Sequence, residues 1–235
     1  MAVPKDVRSN EGPSSNRRGQ KTEGHCNCAL MLLQGRPLRT PLRSHQADIF
    51  SRCQMNEVRK AIIATYAEWT AMSALRSGAP IKSRRDVYTA LRGVDFAVFD
   101  EALGPINRST FEAWHAEAVQ DMILREPRLT VGWAAKIINV YLKTRAYIGA
   151  QGRHHLKEMI HPPIDAGLWL GLQRRFADRP DILKRTNCVN RIKDIADYDC
   201  YRRIIDGCRA AAKALDCELI EVEQLWAGTE FVASA

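Results

Sequence analysis

The chain has 235 residues, with 35 lysines and arginines against 27 aspartates and glutamates and a net charge of +8. Its hydrophobic fraction of 46% and charged fraction of 26% are those of a soluble globular protein with a core that needs no disulfide or metal staple. No apolar run reaches the length of a membrane span, and the seven cysteines follow no framework spacing, so membrane proteins and secreted disulfide scaffolds are excluded and reduced thiols in the cytoplasm are expected.

Residues 1–45, rich in Gly, Pro, Ser, Asn and Arg, read as a disordered basic tail. The tail carries Lys5, Arg8, Arg17, Arg18, Lys21, Arg36, Arg39 and Arg43 against Asp6, Glu11 and Glu23, so most of the excess positive charge belongs to it. "ALMLL" within it is too short for a signal-peptide core. "HCNC" lacks the second cysteine pair of a soft-metal site.

From Ala47 onward the pattern is helical. Ile49, Met55, Val58, Ile62, Tyr66, Trp69 and Leu75 lie near helical spacing and the run closes on Gly78. Two short helices broken near Gly93 follow. The next helix opens on Ser109 and Glu112, a capping-box spacing, and stops at Pro127. Thr130 caps a helix over 131–148, with Ala134, Ile137, Ile138, Tyr141 and Leu142 as its buried stripe and Lys136, Asn139, Lys143 and Arg145 off it. Asp165 opens a helix that runs to Phe176, and "DYDCYRRIIDGCRAAAKALD" forms the last long one, followed by "ELIEVEQLWAG". Period-2 alternation of β-branched residues is missing. The expected fold is all-α: one domain over 46–235, an irregular bundle of about seven or eight helices.

Charge is uneven along this domain. Between Glu126 and Glu158 there is no acid, while Arg128, Lys136, Lys143, Arg145, Arg153 and Lys157 all occur. From Asp194 onward acids outnumber bases. One cationic side, suited to phosphate, and one acidic side are expected; solvated helix faces would give the same composition.

Lys136 sits early in its helix, near the positive end of the dipole and among other cations. Both effects favour the neutral, nucleophilic amine. Asp165, behind Pro162 and Pro163, is placed to accept backbone N–H bonds as a helix cap, which would also hold its carboxylate rigid and ionised. "GWAAKIINV" followed by "PID" resembles the motif pair of the helix-hairpin-helix DNA glycosylases, in which a Gly-x-Gly-x-Lys turn enters one helix and a Pro-x-Asp opens the next. The resemblance covers about forty residues. It implies DNA as partner, with Gly132 and Ala134 as the hairpin residues whose amides grip phosphate. It further implies Lys136 as the nucleophile that attacks the sugar of a flipped nucleotide and Asp165 as the carboxylate that steadies the developing charge. Ala134 stands where the family has its second glycine, no "LPG" precedes, and the interval from Lys136 to Asp165 is longer than the family's. The lysine-rich helix and "HPPID" turn also resemble those of bacterial helical proteins, a likeness that implies no activity.

Lys143, Arg145, Arg153 and His155 complete the expected DNA-contacting set. His154, Glu158 and His161 have the spacing of one helical face that could hold iron or zinc, but Pro162 follows at once, and no metal or cofactor is expected. "WHAEA" has the His-x-Glu of a zinc deaminase without its cysteine pair. Trp69, Trp114 and Trp133 read as core. The alternative to a nucleic-acid enzyme is a non-enzymatic all-α protein that acts through a protein partner or self-association. The two readings differ in one geometric expectation: an enzyme needs Lys136 and Asp165 in one cleft lined by cations.

Overall fold

The computed structural model describes residues 42–75 and 78–226, and every regular element among them is helical. In chain order these are α1 (Leu42–Ser73), α2 (Arg84–Arg92), α3 (Arg108–Arg125), α4 (Val131–Leu142), α5 (Leu156–Met159), α6 (Ala166–Arg175), α7 (Pro180–Thr186) and α8 (Tyr198–Leu215). From Arg43 onward the chain groups as one compact unit. Because α1 begins at Leu42, the last residues assigned to the basic tail are helical; the rest of that tail, with "HCNC", lies outside the described residues.

Helix starts follow the short polar residues. Ser83, Asn107, Asp165 and Asp197 each accept a backbone N–H of the first turn of α2, α3, α6 and α8. Asn107, not Ser109, caps α3; the Ser109 hydroxyl donates to the Asn107 side chain instead. Thr130 opens α4 without a side-chain cap bond, and its buried hydroxyl oxygen has no partner.

The largest departure from expectation concerns α4. Every residue from Val131 to Leu142 is buried, including Lys136 and Asn139. An outer charged face was expected, but α3, α8 and the neighbouring turns enclose the helix on all sides. Its entry is tight. A Cβ on Gly132 would overlap the Ile192 carbonyl oxygen, and the Gly132 N–H donates to Ile195 O at 3.2 Å. At its far end the chain continues into a π-helical segment, Lys143–Ile148. Single π turns often mark functional sites.

The reverse holds for α1. Val58, Ile62, Tyr66 and Trp69 are exposed, and the helix buries Ala67 and Ala71 instead. Trp69 is therefore not a core residue, while Trp133 is. No helix among the described residues is long and apolar enough to cross a membrane.

Two glycines decide how the C-terminal part closes. Gly167 and Gly171, one turn apart on α6, face the 3-10 segment Leu219–Leu225 and the Trp226 that follows it. A Cβ on Gly167 would overlap the Trp226 ring, and one on Gly171 the Leu225 carbonyl oxygen. The absence of side chains lets this turn lie directly on α6. Gly171→Ala should lower stability by about 1–3 kcal/mol in urea denaturation, because backbone stands in the way. Leu170→Ala, at an exposed position of the same helix, should stay within about 0.5 kcal/mol. Equal midpoints for the two variants would refute the close approach.

Candidate functional site

Lys136 and Asp165 meet. The Lys136 ammonium donates to Asp165 Oδ2 at 3.0 Å, with side-chain exposures of 6% and 25%. The other carboxylate oxygen, Oδ1, accepts the Leu168 N–H at 3.1 Å as the cap of α6 and the Trp226 indole N–H at 2.8 Å. The cap and the ion pair thus use different oxygens of one carboxylate. The helix start fixes where the carboxylate points, and the lysine takes what is left.

The pair lies on the wall of a cleft of about 400 Å³. Tyr66, Trp69, Val140, Pro163 and Trp226 supply its apolar surface. Tyr66 and Trp69 stack on each other with ring centroids 5.5 Å apart, and the Lys136 ammonium stands 5.7 Å from the Trp133 ring centroid. Lys143 and Glu223 close one side of the cleft as a second ion pair at 2.7 Å. Two lysines therefore face two carboxylates. The cationic lining expected around the lysine is not what surrounds it.

The reason is the path of the C-terminal turn. The acids expected to form a separate side fold back onto the basic middle: Glu223 on Lys143, Glu218 near Lys157 at 3.8 Å, and Glu221 on the Tyr147 hydroxyl at 2.7 Å. The other cations of that stretch are also engaged. Arg128 pairs with Asp86 and Glu126. Arg145 donates to Gln151 and Tyr141 and lies 3.8 Å from the Phe99 ring centroid. Arg153 donates to the carbonyls of Leu103, Gly104 and Pro105.

The residues expected to form the hairpin need correction. Gly132 and Ala134 are helical and buried inside the first turn of α4, and their N–H groups bond Ile195 O and Thr130 O. Neither amide points at solvent, where a phosphate would be. His155 adopts a left-handed backbone (φ 70°) and pairs with Glu158 at 3.0 Å. His154, Glu158 and His161 share no face, since α5 is a single turn, and no cluster of metal-type ligands occurs among the described residues.

Sequence reasoning missed a buried network one turn along α4 from Lys136. Asn139 Oδ1 accepts from His115 Nε2, and Asn139 Nδ2 donates to the Tyr201 oxygen at 2.9 Å and to Pro162 O at 3.3 Å. His115 Nδ1 then accepts from the Tyr198 hydroxyl at 2.9 Å. Arg209, which only donates, reaches His161 Nε2 at 3.2 Å, so the proton of His161 sits on Nδ1 and goes to the Tyr201 oxygen at 3.0 Å. Asn139 grips the carbonyl of Pro162, three residues before Asp165, and so sets the height of Asp165 against Lys136. The missed signal was a polar residue, Asn139, in a run that is otherwise almost wholly apolar. Trp226 and Glu223 were also missed; the Gly167–Gly171 spacing on α6 was the hint that another segment packs there.

No family model matches the chain, and neither a curated protein nor a solved structure resembles it significantly.

Burial holds both histidines neutral. Desolvation lowers His115 to about 4, against smaller raising effects of Asn139 and Glu112. It lowers His161 well below its ordinary value, with the positive charges of Arg209 and Arg108 and the neighbouring His115 acting the same way. In the unfolded chain both titrate near 6.5. The folded state therefore binds fewer protons between those limits. Its stability is level above about pH 6.5 and falls as pH drops toward 4, by roughly 2 kcal/mol at pH 5 for His115 alone. Urea unfolding at pH 7 and pH 5 measures this, and His115→Gln should decline less steeply. Equal stability at the two pH values would count against buried neutral histidines.

Proposed function

We propose that the cleft beside α4 is an active site for lysine-dependent chemistry on a nucleic-acid sugar, of the DNA glycosylase or abasic-site lyase type. The observation that carries the reading is the contact of Lys136 with a carboxylate fixed by a helix start, on the wall of an aromatic cleft large enough for a nucleoside. Trp226, Trp69 and Tyr66 offer the flat apolar surface on which an extruded base stacks.

In this scheme Asp165 Oδ2 takes the proton that Lys136 must lose before it attacks. The free amine adds to C1′ of an abasic sugar in its aldehyde form, water leaves, and a Schiff base remains. With an intact nucleotide the same attack breaks the bond between C1′ and the base, which departs with the electron pair and takes up a proton. That proton is the one Asp165 took from Lys136, so the carboxylate is ionised again as the base leaves and faces the positive charge that develops at C1′. Grip on phosphate would come from side chains, since the Gly132 and Ala134 amides are occupied within the protein.

Internal pairing of the basic stretch favours a second reading, as a non-enzymatic protein that works through a protein interface. There the Lys136–Asp165 pair only ties α4 to α6. One experiment separates the two. Borohydride reduction in the presence of duplexes carrying abasic sites or oxidised bases should trap a covalent adduct with the unaltered chain. Lys136→Ala should abolish it, and Asp165→Asn should slow its formation roughly 10²-fold or more. Circular dichroism and unfolding midpoints of both variants control for folding. If the unaltered, folded chain gives no adduct on any of these duplexes, the enzymatic reading fails.

A further inference from the structure

Two thiols meet at the start of α8. Cys188 is the first residue beyond the cap of α7, and Cys200 lies in the first turn of α8. Their Sγ atoms stand 3.5 Å apart, in van der Waals contact, and the Cys188 thiol also donates to the Cys200 carbonyl at 3.9 Å. Both residues are half-buried, so a small reagent can reach them, whereas Cys208 further along α8 is buried. Cys188 stands in an irregular turn and can shift toward its neighbour; Cys200 is held in the helix.

We propose that Cys188 and Cys200 form a reversible thiol–disulfide site that reacts with a small disulfide of the glutathione class, and that the bond clamps the loop on which α4 is seated. The ring closed by such a bond runs from residue 188 to residue 200 and contains both residues that hold the entry of α4. Ile195 is fully buried and its carbonyl accepts the Gly132 N–H at 3.2 Å, and the Ile192 carbonyl oxygen lies where a Cβ on Gly132 would be. Lys136 stands one turn further along the same helix, so the clamp acts on the helix that carries the candidate site. The inference does not depend on the activity proposed for that site.

The exchange runs in two steps. Burial pushes the Cys200 thiol up to about 11, and the hydrogen bond to Cys188 and the charge of that sulfur act the same way. Cys200 therefore keeps its proton while Cys188 attacks first, as the thiolate. One sulfur of the glutathione disulfide bonds to Cys188, the disulfide bond of the reagent breaks, and one glutathione leaves with the electron pair. Cys200 then loses its proton to water and attacks Cys188 Sγ, and the second glutathione leaves. Two protein thiols are oxidised to one disulfide, and one glutathione disulfide is reduced to two thiols.

The test uses the folded full chain, reduced, incubated with oxidised glutathione, alkylated and digested with trypsin. Cleavage after Arg185, Arg191, Lys193 and Arg202 isolates the two cysteines in the peptides TNCVNR and DIADYDCYR. These peptides should appear joined, and dithiothreitol should separate them. Cys200→Ser should accumulate the glutathione adduct at Cys188 instead, because the second step is missing. In hydrogen exchange followed by NMR, the Gly132 amide should slow by about tenfold or more on oxidation, since the loop then opens only as a closed ring. Cys188→Ser, treated alike, should show no change.

A folded chain that yields no joined peptide overturns the proposal. So does a joined chain whose Gly132 amide exchanges as fast as in the reduced form. The same slowing in Cys188→Ser would also overturn it, because the response would then belong to other cysteines.

Discussion

Helix α4 is enclosed on every side, and each polar side chain that enters with it must find its partner inside the protein. Lys136 finds Asp165, Asn139 finds His115, Tyr201 and the Pro162 carbonyl, and the Thr144 hydroxyl just beyond the helix lies 2.8 Å from that of Thr70 on α1. These partners come from α1, α3, α6, α8 and the turn before α6. A single buried helix thereby dictates where most of the surrounding elements sit. The apolar residues of α4 supply the drive for burial, and the polar ones set the register in which burial is tolerable.

The geometry around Lys136 follows from that constraint. Asn139 and Lys136 lie one turn apart on the same helix. Asn139 ties down the Pro162 carbonyl, and the two prolines carry the chain into the cap of α6. Asp165 arrives opposite Lys136 because both ends of a short stiff segment are held. The glycines of α6 then admit the C-terminal turn, which brings the Trp226 indole to the second carboxylate oxygen and Glu223 to Lys143. Two ion pairs and an aromatic wall thus depend on side chains that are missing from α6 as much as on those present around the cleft.

The same closure decides the electrostatics. A basic middle and an acidic end, well separated along the chain, suggest two faces of opposite sign. Folding brings them together, and much of the charge is used up in contacts between them. What remains distinctive on the described surface is a stripe without charge, on the helix whose small residues face inward.

The helical class, most helix starts and the pairing of Pro162–Pro163 with an aspartate cap were legible along the chain, because hydrophobic period and capping are local: a residue and its neighbours within one turn determine them. Asp165 as a cap needed only the residues beside it. Which face of a helix is buried is not local. The helix α4 looked amphipathic and is enclosed; α1 looked like a core helix and turns its tryptophan outward. Lys136 near Asp165 could be posed as a question from two motifs, but the contact required the turn between them to be pinned by Asn139. Tertiary packing also chose the neighbours of that pair, since Glu223 and Trp226 are distant in sequence and reach it only through the bare face of Gly167 and Gly171. The sequence by itself settled the helical class and most helix starts; the order in which the helices enclose one another, and so which polar groups must meet, belonged to the packed structure, because burial is a property of neighbours the chain brings from far away.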